Sequence, residues 1–240
     1  IDSFFDKKKK KNDYNDISFK HIKNYSFEKT DNIEYIFRQY NQFIEILRLY
    51  LIIFVDNVLK NISYKYKTCN EHLKNYNYVL SFNYTNTYKE LYDSNANIVH
   101  IHGNLYDEIV LGINSDKYDS VDNDDCKYIK YKKYYQRITK HTLGGLKRLV
   151  THINLTTEQK GLFIVGHSLD VSDGDIISVL FDLFDCIVIY YLDDKVLDKH
   201  VKNLKLIFGA KELSKMTFSQ KVIFQKLPPN EYMRCGNDQL

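Results

Sequence analysis

"LFIVGHSLDVSDGDIISVLFDLFDCIVIYY", Leu162 to Tyr191, is the stretch that decides the fold. Leu162 to Val165 is a continuous apolar run, the pattern of a strand buried on both faces. Gly166 permits a tight exit from it, and Ser172 or Asp173 stands where a helix cap is needed. A helical pattern from Asp173 to Phe184 then returns the chain to a second apolar run, Cys186 to Tyr191. Strand, amphipathic helix and strand in this order make a parallel βαβ unit. Downstream the rhythm repeats, with a helix over Asp194 to Phe208 and a last strand over Val222 to Gln225. Upstream, Tyr78 to Phe82, Ile98 to Ile101 and Ile109 to Ile113 read as short strands, the first two joined by a helical turn at Tyr88 to Tyr92. Between these halves lies a helical region, Lys127 to Ile153, interrupted around Gly144-Gly145. The expected fold is therefore α/β: a mainly parallel, Rossmann-like sheet with helices on both faces. No internal repeat is visible.

The amino-terminal quarter reads differently. Residues 1 to 29 are polar and basic, with a five-lysine run at Lys7 to Lys11 that reads as a solvated segment. Asp31 and Glu34 are spaced as a capping box, and apolar residues then recur at three- and four-residue steps from Ile33 to Ile62. A long helix reaching about Tyr66 is expected, with its wide apolar stripe packed on the core, or else used as a partner surface. Residues 1–70 thus form a lead-in and long helix, and residues 71–240 the α/β domain.

Composition excludes several classes. Apolar residues make up 44% of the 240, enough to fill a core. The net charge is only +3, too small to point to nucleic acid or to a membrane surface. Cys69, Cys126, Cys186 and Cys235 lie far apart without a C-x-x-C pair, which argues against a zinc ribbon or a disulfide framework and fits a reducing cytoplasm. The longest uncharged apolar run, Leu49 to Val55, is far short of a membrane span.

Chemistry-bearing residues gather where ligands bind in parallel sheets, at the carboxyl ends of strands. Asn83 follows the first strand, and its amide can hold a hydroxyl or a water. His100 and His102 are two apart on a strand and so share a face. Two imidazoles there can begin a metal site, which makes a metal-dependent nuclease or hydrolase one reading. No third ligand is spaced to complete it, and no bound metal is expected. In the other reading His102 works alone as a general base, with Gly103 allowing close approach at the turn. Ser168 follows the strand at Leu162 to Val165 and can reach a ribose hydroxyl. Gly166-His167-Ser168-Leu169-Asp170 lacks the final glycine of a hydrolase nucleophile elbow. Asn83, His102 and Ser168 are expected to line one cleft.

Three elements together resemble the bacteriophage abortive-infection family AbiH and, more distantly, sirtuin-like NAD-binding domains. They are Phe82-Asn83-Tyr84-Thr85, His100-Ile101-His102-Gly103, and Gly166-His167-Ser168-Leu169 with Asp173. The "YYQRITKHT" stretch, Tyr134 to Thr142, adds to the likeness, which spans Tyr78 to Tyr191. The resemblance implies an anti-phage protein that consumes NAD or a related nucleotide. It places Asn83 and His102 in catalytic roles, and Thr85, Gly103, Gly166, Ser168 and Asp173 around the nucleotide. Thr85 stands where the sirtuin pattern carries an aspartate. The same resemblance is compatible with a phage-derived trigger, with self-association, or with a non-catalytic module that senses a phage component. AbiH-like proteins open on a strand and a Gly-x-Gly-Phe-Asp-like loop that would hold phosphate, and nothing from Ile1 to Asn77 resembles it. Such a strand and loop are expected upstream, and NAD binding by these 240 residues alone is expected to be weak.

Overall fold

A computed structural model of the chain describes residues 29–62, 76–92, 95–113 and 128–227. The chain divides into two compact units, Ile1–Gln42 and Phe43–Leu240. The expected lead-in, the helix beyond Ile62, and Cys69, Cys126 and Cys235 lie outside the described residues.

A long helical run comes first: α1 (Lys29–Tyr50), a π-helical segment (Leu51–Asp56) and α2 (Asn57–Ile62). Helix α1 begins at Lys29, so Asp31 falls in its first turn rather than at a cap. The wider π turns swing Asp56 onto the inner side of the run, where the Tyr106 hydroxyl donates to it at 2.9 Å. Ile44 is buried, but the rest of the apolar stripe from Phe43 to Val58 stays mostly exposed. The expectation that this stripe packs on the core is therefore corrected.

Then follow β1 (Val79–Ser81), α3 (Thr87–Leu91) and β2 (Ile98–His100). Strands β1 and β2 are parallel, with Leu80 opposite Val99. Ile109 to Ile113 is not a strand. It contributes a single bridge, Ile113 with Lys132, where Ile113 N–H donates to the Tyr131 carbonyl at 3.0 Å and Lys133 N–H to the Ile113 carbonyl at 3.1 Å. A 3₁₀ turn (Ile129–Tyr131) leads into α4 (Lys133–Thr139) and α5 (Gly144–Leu155). The break falls over residues 140–143, and Gly144-Gly145 opens α5 instead of interrupting it. Gly145 is needed there, since a Cβ would press to 2.9 Å from the Val99 side chain.

The second half carries β3 (Gly161–Ile164), a 3₁₀ turn (Val171–Asp173), α6 (Gly174–Leu183), β4 (Cys186–Tyr191), α7 (Asp194–Phe208), α8 (Ala210–Phe218) and β5 (Val222–Lys226). Helix α8 is an element the sequence reading did not anticipate. Strands β3, β4 and β5 form a parallel sheet in that order.

The described strands thus make two parallel sheets, of two and three strands, and not the one continuous Rossmann-like sheet expected. Helix α6 ties them together. Ile177 and Phe181 enter a core with Ile187, Ile189 and Leu204, while Ile176 and Leu180 enter a second core with Ile101, Leu146 and Leu149. A helix apolar on two faces is what such a central position demands. Between β1 and β3 lies a cavity of about 810 Å³, lined by residues of both strands. Phe163 of β3 is exposed, so this strand is not buried on both faces as its apolar run implied. No helix among the described residues is long and apolar enough to cross a membrane.

Candidate functional site

The three chain segments leaving β1, β2 and β3 supply the site. Asn83, just past β1, is exposed and lines the cavity. Its backbone is fixed on both sides. Its N–H donates to the Ser81 hydroxyl at 3.2 Å, and its carbonyl accepts from that hydroxyl at 3.1 Å and from His100 Nδ1 at 2.9 Å. His100 Nε2 meets the Asn86 side-chain amide at 3.1 Å, so this imidazole braces the β1 exit. Strand β2 ends at His100, and the following turn sends His102 elsewhere. The shared face expected for the two histidines is lost at that turn. Among the described residues no group of three His, Cys, Asp or Glu side chains is placed to hold a metal ion.

Gly103 makes the turn after His102. Its φ is +78°, and a Cβ would fall 1.6 Å from the Glu108 carbonyl oxygen. Only glycine fits, and the turn is closed by Val110 N–H donating to the His102 carbonyl at 2.8 Å. Thr85 is buried and shares a 2.7 Å hydrogen bond with Thr87 at the start of α3. Its hydroxyl is engaged in local structure.

The loop after β3 is held in an unusual shape. Gly166 (φ +68°) and Leu169 (φ +52°) are both left-handed, a costly conformation for leucine that the buried seat of its side chain sustains. Helix α7 clamps the loop from behind. His200 Nε2–H donates to the His167 carbonyl at 3.1 Å, and Asn203 donates to the Ser168 carbonyl at 3.0 Å. Gly166 and His167 line the cavity. Ser168 and His102 do not, so the expected three-residue cleft is corrected: Asn83 reaches the cavity directly, and His102 lies behind it.

What lies behind is a buried charge cluster centred on Asp173. Asp173 takes the N-cap position of α6, as the sequence allowed, but its side chain makes no cap hydrogen bond; Asp170 caps the preceding 3₁₀ turn, accepting from Ser172 N–H at 2.9 Å. The Asp173 carboxylate points inward instead. His102 Nε2 stands 3.0 Å from it, at ion-pair distance but outside hydrogen-bond alignment. Lys133 Nζ donates to both carboxylate oxygens at 2.9 and 3.1 Å and to the Ser172 hydroxyl at 3.0 Å. Arg137 Nη1 and His167 Nε2 each approach to 3.9 Å. Arg137, only 1% exposed, also grips Asp175. The ring of Phe82 is wedged between the imidazoles, its centroid 5.5 Å from His102 edge-on and 4.1 Å from His167.

The electrostatics follow from this packing. Burial alone would raise the pKa of Asp173, but the His102 and Lys133 contacts outweigh it and hold the carboxyl at about 2. For His167 burial dominates, over an opposing pull from Asp173, and lowers it to about 4. His167 is therefore neutral at pH 7. Its Nδ1 accepts from Leu169 N–H at 3.0 Å, which leaves the proton on Nε2, facing Asp173.

Lys133, Arg137, Asp175, His167 and Phe82 were not singled out from the sequence as site residues. A signal was present: Lys133 and Arg137 are four apart on a helix, so two cations share one face.

Fold and site together define a class, an α/β protein with a buried His–Asp–Lys–Arg charge cluster beside the carboxyl ends of parallel strands. The family described as Bacteriophage abortive infection AbiH matches residues 1–191, and the chain belongs to that family. Membership brings with it a role in phage abortive infection. The match runs from the chain start through β4. No curated protein and no solved structure was found to match the chain.

Proposed function

We propose that the chain serves abortive infection by processing NAD or a related nucleotide at the cavity between β1 and β3. The observation that carries this reading is the buried His102–Asp173 pair, one side chain behind the wall that Asn83, Gly166 and His167 present to that cavity. A volume of about 810 Å³ suits a nucleotide-sized ligand. Aromatic rings line it, with Tyr76 and Phe163 at 5.6 Å and Phe82 on His167 at 4.1 Å. Such faces accept a planar base by stacking.

In this reading Asn83 offers its amide to a ribose or to the attacking water, whose oxygen bonds to the ribose carbon as the bond from that carbon to the nicotinamide-type base breaks and the base leaves with the electron pair. His102 takes the proton, and Asp173 keeps the imidazole oriented and stabilises the charge it gains. Phe82 separates His102 from the cavity, so its ring must turn aside for the base to work. The phosphates find little here. Asp170, Asp173 and Asp175 crowd the start of α6, and Lys133 and Arg137 are already held by Asp173 and Asp175. Among the described residues no phosphate cradle is offered, and binding by them alone should be weak.

The test is NAD content in phage-infected cells that express the whole protein, measured by mass spectrometry beside cells expressing His102→Ala. NAD should fall in the first and hold in the second. Infected cells that are protected while keeping their NAD would remove the nucleotide from this reading.

A further inference from the structure

We infer that the exposed apolar stripe on the helical run is the surface on which a second copy of this chain docks, the two runs packing antiparallel about a two-fold axis. Phe43, Ile46, Leu49, Tyr50, Ile53 and Phe54 are each 52–64% exposed, and Val58 extends the stripe at 50%. They follow one another at helical spacing on the side opposite Ile44 and Asp56, which are 4% and 2% exposed and face the rest of their unit. An aromatic side chain has an area of roughly 150–250 Å² and an aliphatic one less, so the seven half-exposed residues leave about 600 Å² in all. Folded monomers seldom leave so large a contiguous apolar patch in water. Laid against its own symmetry mate, the patch would bury about 1,200 Å² in total, the lower edge of the range of stable, specific interfaces.

Two further observations favour a like partner over a charged one. No charged residue falls between Arg48 and Asp56. The charges that bracket the stripe in sequence are paired within the run, Glu45 with Arg48 and the inward Asp56 with Lys60, the latter at 2.8 Å. Nothing in the stripe repels an identical copy, and nothing in it recruits an acidic or basic surface. Tyr50 and Phe54 pack tilted against each other one turn apart at 5.2 Å, an aromatic pair near the centre of the stripe and the usual make-up of an interface anchor. A two-fold arrangement is closed, so it yields dimers and not fibres.

Sedimentation velocity on the full chain, from about 1 to 100 µM, tests this directly. A dimer should form in the micromolar range, and Phe54→Glu should raise its dissociation constant at least about 30-fold with an unchanged circular-dichroism spectrum. Phe218→Glu, on α8 and 93% exposed outside the stripe, should leave it unchanged. If Phe54→Glu does not fold, Tyr50→Cys provides the second reading. Residues near the two-fold axis meet their own counterparts, so mild oxidation should cross-link this variant well beyond the wild-type background. A wild type monomeric at 100 µM, a dimer indifferent to Phe54→Glu, or no excess cross-link would each overturn the inference.

Discussion

Replacing His167 with asparagine isolates the electrostatics of the site. Asparagine can still accept from Leu169 N–H where His167 Nδ1 does, at 3.0 Å, but it does not titrate. In the folded protein burial lowers His167 from 6.5 to about 4. An unfolded chain takes up that proton near 6.5, so between the two values the unfolded state binds more protons and stability falls as pH falls. Each pKa unit is worth 1.36 kcal/mol, and the gap therefore amounts to about 3 kcal/mol. That stability is whole above pH 6.5 and is lost progressively on acidification to pH 4. Asp173, held at about 2 against an ordinary 3.8, acts in a separate and lower window: its contribution is full above pH 3.8 and drains away towards pH 2. Urea unfolding followed by circular dichroism at half-unit steps should show the wild type losing about 3 kcal/mol more than His167→Asn between pH 6.5 and 4. Parallel profiles would show that His167 is not held neutral by its surroundings, and the reasoning would fail.

Two other perturbations probe the surrounding scaffold. Asp173→Asn leaves Lys133 and the nearby Arg137 without their shared counter-charge and should cost about 3–5 kcal/mol in chemical denaturation at pH 7; a loss under 1 kcal/mol would mean the cluster is solvated. Gly103→Ala drives a Cβ to within 1.6 Å of the Glu108 carbonyl and should lower stability by about 2–4 kcal/mol or abolish soluble expression; a variant as stable as the wild type would rule out this turn geometry.

The second half of the chain was legible because its signals are local. Helix α7 runs over Asp194–Phe208 as expected, since Asp193 accepts from Val196 N–H at 2.9 Å at its start and Gly209, at φ +81°, ends it. Strands β3 and β4 were visible as apolar runs for the same reason. Which edge pairs with which is a long-range choice that such runs do not encode, so one sheet was expected where two occur. The stripe from Phe43 to Val58 shows the same limit, because periodicity marks an apolar face without saying what covers it. At the site, Asn83, His102 and Asp173 were legible as polar residues past strand ends. Their grouping was not. It depends on Asp173 standing at the start of α6 without capping it, its carboxylate turned inward instead, and on α4 delivering Lys133 and Arg137 from 40 and 36 positions upstream.

The most direct measurement is phage plating on cells expressing the wild type or His102→Ala at equal, verified levels of folded protein. Loss of a general base typically slows its step by about two to four orders of magnitude. If abortive infection runs through the His102–Asp173 pair, His102→Ala should restore plaque formation to that of unprotected cells. Full protection by a folded His102→Ala protein would contradict a catalytic role for that pair.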